Sequence, residues 1–312
     1  MPQQTARNLV VVRAGRSSLH MAWLADQSER NWDILVSYYD AAAFENDKSG
    51  TPKFFCPGGK WNGLHRTLHE AVDLSLYDFF WLPDDDLEAS TETINQMFEL
   101  ARVNDFAVCQ PALTLDSYFS HFHTLACDGF KLRYVNYAEI MAPCLRRDTL
   151  QKLLPYVSTT MCGFGLDDVW CRLQADNHMS AAIFDEVQVK HTRPVGGHLK
   201  SVIHQSGLSQ EYEGAALRNS LGFFKRTRPV CYAGIKLNGK LVKGPRKMGM
   251  SMAASHLKTW NSPPKSQQVG KDFFRMLRRQ MIGSTDFRQI HLRPLQDESP
   301  NLGEFSQTLA KE

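Results

Sequence analysis

The sequence predicts an α/β protein with a mostly parallel central sheet flanked by helices. Short runs rich in β-branched and aromatic residues alternate with segments whose apolar residues recur at helical spacing, and this alternation is typical of strand–helix units. Residues 79–82 (FFWL) are apolar at every position, as expected for a strand covered on both faces. Pro83 ends this strand because it cannot extend the hydrogen-bond ladder. Three aspartates follow directly: Asp84, Asp85 and Asp86.

The other predicted elements follow the same reasoning. Apolar runs bounded by turn residues predict strands at residues 8–13, 32–39, 105–113, 134–142 and 181–190. Apolar residues at helical spacing predict a helix over 62–76 and another that Ser90 caps. Further helices are predicted from Asp148, as its N-cap, to about Pro155, from Asp167 and Asp168 onward, and over 272–282.

Composition limits the classes of protein to which the chain can belong. It has 312 residues, 43% of them hydrophobic and 22% charged, as in ordinary soluble proteins and unlike disordered ones. Its seven cysteines are scattered, odd in number and contain no C-x-x-C pair, so we expect neither a disulfide framework nor a zinc knuckle. No signal-peptide stretch and no run of membrane-spanning length is present. We therefore expect a cytoplasmic protein.

The aspartate triplet predicts a binding site at the end of the central strand. Ligands of open α/β sheets bind at the carboxyl ends of strands, and a cation would offset the repulsion between adjacent carboxylates. In an extended segment Asp84 and Asp86 share one side, while Asp85 faces another ligand atom. The alternative is a solvated acidic turn before a helix, whose N-terminal dipole also favours acids. Both interpretations stay open at this point.

Several further residues are candidates for ligand contact. Gly15 follows the first strand, Asp40 follows the second, and Lys60 precedes the helix predicted from residue 62. Each has a structural alternative, namely a plain turn for Gly15, a turn cap for Asp40 and a solvated surface charge for Lys60. No Walker or G-x-G-x-x-G pattern accompanies them. In the strand predicted over 134–142, Glu139 needs a partner, hydration or a function.

A second acidic segment lies later in the chain. Gly163 and Gly165 frame Phe164 and lead into Asp167 and Asp168. Glycine permits a positive φ or a close backbone approach, and the two acids fall at a predicted helix start. If a ligand hydroxyl binds here, one of these carboxylates, Asp168 by preference, can take its proton as general base. The alternative is a loop followed by an acidic helix start.

Five motifs occur in a fixed order, namely WLPDDDLE, CQPAL, AEIMAP, GFGLDD and VKHTRPVGG. Their order and spacing resemble an uncharacterised family of bacterial and plant proteins predicted to have the GT-A glycosyltransferase fold. The resemblance covers residues 8 to 200, roughly, and it depends on the five motifs together. It implies a GT-A-like domain over residues 1–224, which transfers a sugar from a nucleotide-sugar donor to a glycan or glycolipid acceptor.

The resemblance also implies roles for individual residues. The acidic motif, Asp84 to Asp86, would hold Mn²⁺ or Mg²⁺ against the donor diphosphate, and His191 would complete the metal shell. Histidine is a borderline ligand that suits Mn²⁺. The glycine-framed acids would face the acceptor. The chain departs from several sugar transferases in this loop, where Phe164 replaces Trp and the pair Asp167 and Asp168 replaces Glu-Asp.

The character of the chain changes beyond residue 224. Residues 225–312 form a predicted basic extension, with a linker at Pro263 and Pro264, a basic amphipathic helix over 272–282 and a polar, disordered tail from Gln296. Such a helix fits an anionic membrane surface or an acidic glycolipid acceptor, and the alternative is a solvated basic surface. No nucleic-acid-binding motif is present, so nucleic acid is not an expected partner.

The sequence thus favours a metal-dependent glycosyltransferase. Two other functions stay open. One is a carbohydrate- or nucleotide-sugar-binding protein without turnover, and the other is a metal-dependent nucleotidyl- or phosphotransferase.

Overall fold

The computed structural model of the chain describes residues 7–25, 29–158, 160–174, 179–196, 210–220, 222, 225–260, 262–264, 267–282 and 289–292. Its central feature is a sheet with helices packed against it, so the predicted α/β architecture is confirmed. The tail predicted from Gln296 lies outside the described residues.

The bounds of the elements are as follows. The strands are β1 (Asn8–Ala14), β2 (Asp33–Tyr38), β3 (Lys53–Phe55), β4 (Phe79–Trp81), β5 (Leu87–Glu88), β6 (Val108–Leu113), β7 (Phe130–Val135), β8 (Cys144–Arg146), β9 (Ala181–His191), β10 (Cys231–Lys236) and β11 (Leu241–Lys243). The helices are α1 (His20–Trp23), α2 (Ala41–Asn46), α3 (Lys60–Ala71), α4 (Thr91–Val103), α5 (Arg147–Val157), α6 (Gln210–Ser220), α7 (Pro245–Lys258) and α8 (Val269–Ile282). Short 3-10 turns cover Leu74–Leu76, Phe122–Thr124 and Trp170–Arg172.

The sheet is mixed rather than mostly parallel. Its strand order is β11-β10-β7-β9-β6-β8-β4-β1-β2-β3, and β5 pairs with β9 beside this path. Among the described strands, four of the ten pairings are parallel and six are antiparallel. One cause is visible at β10 and β11, since the short turn at 237–240 that joins them permits only antiparallel pairing.

The surroundings of the central strand β4 account for its apolar sequence. It pairs with β1 in parallel and with β8 antiparallel, and all three of its residues are buried. Helix α4 packs on β4, β6 and β9, while α3 packs on β1, β2 and α5. A strand covered in this way needs apolar side chains at consecutive positions. The polar residues that follow β4 therefore emerge at the carboxyl edge of the sheet.

Two predicted elements end earlier than expected. The helix predicted over 62–76 begins at Lys60 and ends at Ala71, because Val72 is extended at φ −132° and ψ 126°. The strand predicted over 134–142 was wrong from Asn136 onward, since β7 ends at Val135 and Glu139 lies in the irregular segment before β8. The chain turns there because this segment binds the end of β4, with the N–H of Asp84 donating to the carbonyl of Met141 at 2.8 Å.

Helix starts were predicted with mixed success. Ser90 caps α4 as predicted, since its hydroxyl accepts the N–H of Thr93 at 3.1 Å. Asp148 is not an N-cap but lies in the first turn of α5, which continues through Pro155 to Val157. Residues 164–169 form turns, followed by the 3-10 turn Trp170–Arg172, so the helix predicted from Asp167 was wrong.

The basic segment after residue 224 joins the same sheet. Strand β10 pairs antiparallel with β7, and α7 packs on β10 and on α8. Helix α8 contains the predicted helix 272–282, and the domain boundary at residue 224 stays a prediction. Among the described residues, no helix combines the length and the apolar character needed to cross a membrane. All seven cysteines are buried free thiols.

A buried ion pair ties the middle of the sheet together. Arg133 of β7 and Asp185 of β9 are fully buried, and two guanidinium nitrogens each lie 2.8 Å from a different carboxylate oxygen. Arg133 also donates to the carbonyls of His123 and Leu125, and Asp185 accepts the N–H of Cys127 at 2.9 Å. With these additional hydrogen bonds, both charges are satisfied without water.

We expect Arg133→Leu to lower the free energy of unfolding by about 3–5 kcal/mol, because it leaves Asp185 buried without a counter-charge. Urea denaturation measures this change. Lys131→Leu is the matched control on the same strand, and it should change the free energy by no more than about 0.5 kcal/mol. Equal losses in the two variants would contradict a special role for the ion pair.

Candidate functional site

The aspartate triplet stands where β4 leaves the sheet. Asp84, Asp85 and Asp86 follow β4 after Leu82 and Pro83, and β5 begins at Leu87. Strand β5 pairs with the end of β9, where Leu87 lies opposite His191. The hydroxyl of Thr192 donates to the carbonyl of Asp86 at 2.9 Å, which also joins the residue after β9 to the triplet. Two segments about one hundred residues apart in sequence therefore meet at the triplet.

Asp84, Asp86 and His191 form a cluster that fits a divalent cation. One potential ligand atom from each residue lies within 4.8 Å of the other two. Asp86 Oδ2 is 3.2 Å from His191 Nε2, while Nδ1 of His191 donates to the carbonyl of Tyr118 at 3.0 Å. Such a backbone partner orients the ring and leaves Nε2 for a metal. Two carboxylates and one imidazole match the donor preferences of Mn²⁺.

An unpaired atom gives independent support for this fit. Oδ1 of Asp86 is buried and has no hydrogen-bond partner among the described residues. A buried carboxylate oxygen without a partner is costly, and a bound cation would remove that cost. Burial acts to lower the pKa of His191, but the hydrogen bond and the charge of Asp86 outweigh it, and the pKa is raised.

Lys60 lies at the same site. Its Nζ is 2.5 Å from Asp84 Oδ1 and 2.7 Å from the carbonyl oxygen of Ile140. Burial raises the pKa of Asp84, and the positive charge of Lys60 opposes that shift. Lys60 is therefore not a freely solvated surface charge, and it fastens the turn before β8 to the end of β4. Its contact with an anionic ligand stays a prediction.

Asp85 has a different set of partners from its two neighbours. Its Oδ2 accepts the N–H of Gly15 at 3.0 Å, and its Oδ1 lies 3.6 Å from Arg193 Nη1. Burial raises the pKa of Asp85 to about 6. A Cβ atom on Gly15 would lie 2.3 Å from the Tyr39 hydroxyl, so a larger residue would force the Tyr39 ring to move. The sequence indicated Gly15 and Asp85 separately as candidates for ligand contact, and the structure joins them by this hydrogen bond. Their contact with a ligand stays a prediction.

Asp40 has the partners of a structural cap. Its Oδ1 accepts the N–H of Ala43 at 2.8 Å at the start of α2, and its carboxylate lies 3.1 Å from Arg16 Nε. A carboxylate is favoured at this position because it satisfies a free helical N–H group. The structural alternative for Asp40 is thus observed, and its contact with a ligand stays a prediction.

The glycines of the second acidic segment are required by its backbone. Gly163 has φ of 77° and Gly165 has φ of 102°, so of the two alternatives that the sequence left open, positive φ is observed at both positions. Trp61 of α3 packs so closely on Gly163 that a Cβ atom would lie 2.2 Å from the indole ring. The loop is therefore fixed against the helix that begins with Lys60.

The two acids of this loop are bound differently. Asp168 accepts the N–H of Thr227 at 2.7 Å and pairs with Arg218 at 2.9 Å, so both of its oxygens have fixed partners. Asp167 accepts hydrogen bonds from the Tyr137 hydroxyl and from the N–H of Gly165. Burial, together with the charge of Asp168, raises the pKa of Asp167 to about 7. Burial also raises the pKa of Asp168, against the opposing effect of its partners.

Helix α6 positions this loop, and the sequence did not indicate it. The buried carboxylate of Glu213 accepts hydrogen bonds from the Thr160 hydroxyl, from the N–H of Cys162 at 2.7 Å and from the N–H of Gly163 at 3.2 Å. Arg218 of the same helix pairs with the second acid of the loop. A charged residue on a helix normally faces solvent, so only its burial reveals the role of Glu213.

Glu139 links the two acidic regions. It is 4% exposed, its Oε2 has no hydrogen-bond partner among the described residues, and burial raises its pKa to about 7. The charges of His191, Asp167 and Asp84 all act on this carboxyl. The sequence identified Glu139 as an unusual acid but placed it in a strand, where it could not have been assigned to the site.

The fold and these side chains define an α/β protein in which a carboxylate–histidine cluster that could hold a divalent cation lies at the carboxyl end of the central strand. Asp167 of the second carboxylate pair acts on Glu139, as do Asp84 and His191 of that cluster. A positive centre next to carboxyl groups with pKa values near 7 is an arrangement that can stabilise a leaving anion and accept a proton.

Comparisons with known proteins give similarity in structure alone. No protein-family model and no curated protein matches the sequence, so the family resemblance stays a prediction. The chain is similar to S. aureus TarS 1-349, with a TM-score of 0.37, 11% identity and coverage of 46% of this chain and 48% of that one. It is also similar to TarS 1-349 in complex with UDP-GlcNAc, with a TM-score of 0.43, 10% identity and coverage of 89% and 73%.

A third similar structure is GalNAc-T7 with UDP, GalNAc and Mn²⁺, with a TM-score of 0.44, 10% identity and coverage of 69% of this chain and 50% of that one. The chain thus spans about half the length of two of these three structures. TM-scores below 0.5 do not establish a shared fold.

We expect Mn²⁺ to raise the melting temperature of the wild-type protein and not that of Asp86→Ala, because a ligand of the native state stabilises it only if the site is intact. His191→Ala should retain a smaller shift, since two carboxylates remain. Asp116→Asn is the matched control, because it removes an exposed acid that pairs with Lys190. A wild-type Mn²⁺ shift in Asp86→Ala would disprove the metal assignment.

Proposed function

We propose that the protein is a metal-dependent glycosyltransferase of the GT-A type, which moves a sugar from a nucleotide-sugar donor to a glycan or glycolipid acceptor. The observation that carries the proposal is the cluster of Asp84, Asp86 and His191 at the end of β4, with a buried oxygen of Asp86 left unpaired. Carboxylates at this edge of an α/β sheet are placed where phosphate-bearing ligands bind.

The donor half of the site is built from residues around the triplet. A divalent cation held by Asp84, Asp86 and His191 would stabilise the negative charge of the departing nucleoside diphosphate. Asp85, which Gly15 and Arg193 hold in place, offers a carboxylate to a hydroxyl group of the donor. The mostly buried ammonium of Lys60 adds a positive charge beside the diphosphate.

The acceptor half is built from the glycine-framed loop. A carboxylate that accepts the acceptor's proton works best with a pKa near the working pH, and the pKa of Asp167 is about 7. The sequence favoured Asp168, but its carboxylate is held in an ion pair with the guanidinium of Arg218, whereas the hydrogen-bond partners of Asp167 carry no charge. We therefore assign the general base to Asp167 and a positioning role to Asp168.

A glycolipid acceptor would bring the protein to a membrane surface, and the basic segment after residue 224 fits a peripheral contact with anionic lipids. A cytoplasmic location agrees with seven buried free thiols.

A screen of UDP- and GDP-sugars tests the proposed function. With Mn²⁺ present, one donor should raise the melting temperature, and slow release of its nucleoside diphosphate should follow, because water replaces the acceptor. Without Mn²⁺, both effects should be much smaller. Tight binding without any turnover would indicate the binding protein instead. Release of pyrophosphate from a nucleoside triphosphate and a sugar 1-phosphate, supplied in place of the nucleotide sugar, would indicate a nucleotidyltransferase.

We expect Asp167→Asn to lower sugar transfer by about 10²-fold or more while donor and Mn²⁺ binding stay near wild type, since the amide keeps the shape and loses the basicity. Asp168→Asn is the paired variant, and it should lower transfer less. Initial rates at saturating donor and acceptor measure the effect.

The reverse result, an inactive Asp168→Asn beside an active Asp167→Asn, would return the base to the residue that the sequence favoured. Full activity in both variants would exclude both as the base and favour a retaining mechanism without one.

A further inference from the structure

Charge is strongly segregated along the chain. Residues 225–282 contain fourteen lysines and arginines but a single acid, Asp272. Because the formal net charge of the whole chain is only +3, the remainder of the chain is net acidic. Four members of the basic segment, Arg226, Arg228, Arg275 and Arg279, converge on one side of the molecule, and we refer to them as the arginine cluster.

Helix α8 supplies two members of the cluster. Arg275 and Arg279, one helical turn apart, line a shallow pocket together with His121, His123 and Pro229. The pocket lies where α8 packs against the 3-10 turn Phe122–Thr124. Residues four apart on a helix present their side chains on the same face, so both guanidinium groups reach the pocket.

The other two members are held by their neighbours. Thr227, which lies between Arg226 and Arg228, binds Asp168 through its N–H at 2.7 Å and binds the carbonyl of Asp168 through its hydroxyl at 2.8 Å. The side chain of Asn136 donates to the carbonyl of Arg228 at 3.0 Å. This segment is thus fastened beside the glycine-framed loop, and the next residue, Pro229, forms a wall of the same pocket.

The positive charges of the cluster are poorly balanced. Arg275 pairs with Asp272 at 2.7 Å, whereas Arg226, Arg228 and Arg279 have no ion pair with the acids of the described ranges. Burial lowers the pKa of Arg279, and the charges of the other three arginines lower it further. Like charges in proximity repel one another, and an anion placed among them would remove that repulsion.

The pocket connects directly to the proposed acceptor side. His121 Nε2 lies 3.1 Å from the Tyr137 hydroxyl, and that hydroxyl donates to Asp167. The charge of Arg226 acts both on His121 and on Asp167. An anion bound by the cluster would therefore lie close to the carboxylate that is assigned as general base.

We propose that the arginine cluster binds an oxyanion, a phosphate or a carboxylate, carried by the acceptor, so that the substrate is an anionic glycan or glycolipid. That the oxyanion belongs to an acceptor rests on the proposed function, whereas binding of an oxyanion by the cluster does not. Arginine suits this task because its planar donors match two oxygens of one phosphate or carboxylate. Anchoring the charged group would orient the acceptor hydroxyl toward Asp167.

Binding of inorganic phosphate tests the inference directly, without turnover. At constant ionic strength, phosphate should raise the melting temperature more than chloride does, and acetate shows whether a carboxylate suffices. The double variant Arg226→Gln with Arg279→Gln should weaken phosphate binding about 10-fold or more, on the scale of one or two charged hydrogen bonds. The control, Lys258→Gln with Arg278→Gln, removes the same charge from the same basic segment and should bind phosphate like the wild type.

Three results would overturn the inference. The first is that phosphate has no more effect than chloride. The second is that both double variants lose phosphate binding equally, and either of these two results would indicate general surface charge. The third is that vesicles containing phosphatidylglycerol bind while phosphate neither binds nor competes, which would make the cluster a membrane-facing surface. Mn²⁺-dependent nucleotide-sugar binding, measured on the same variants, separates the two proposals, because its absence leaves the phosphate result intact.

Discussion

Repulsion among carboxylates is the constraint on which the rest of this structure depends. Six acids meet around the end of β4, and most of them are buried: Asp84, Asp85, Asp86, Glu139, Asp167 and Asp168. Burial in general disfavours the charged form of a carboxyl group, and each neighbouring negative charge adds to that cost. The fold places a cation, a backbone N–H group or a hydroxyl beside most of these groups. Among the described residues, Oδ1 of Asp86 and Oε2 of Glu139 have no hydrogen-bond partner.

The compensating groups come from distant parts of the chain, and this divides the site into two halves. Lys60 from the start of α3 and Arg193 from beyond β9 serve the triplet. Arg218 and Glu213 from α6 serve the glycine-framed loop, one through an acid and the other through backbone N–H groups. Glu139 is affected by the charges of both halves, since Asp84 and His191 of one and Asp167 of the other act on its carboxyl.

The sequence was informative where one residue type satisfies one local requirement. The apolar run before Pro83 predicted a strand covered on both faces, and β4 is such a strand. Gly163 and Gly165 indicated either positive φ or a close backbone approach, and positive φ is observed at both. Ser90 predicted a helix cap, because capping depends on the local backbone alone. Sequence failed at Glu139, where the direction of the chain after β7 depends on hydrogen bonds to the distant end of β4.

The sequence by itself thus determined the α/β class, the central strand and the residue types of the site, since hydrophobic patterns and local φ requirements are written in neighbouring residues. Only the tertiary structure decided the mixed strand directions, the β5–β9 pairing that brings His191 to Asp86, and the separate partners of Asp167 and Asp168. These depend on contacts between residues about thirty to one hundred positions apart. Such contacts form only when the whole sheet has assembled, and no local sequence pattern encodes them.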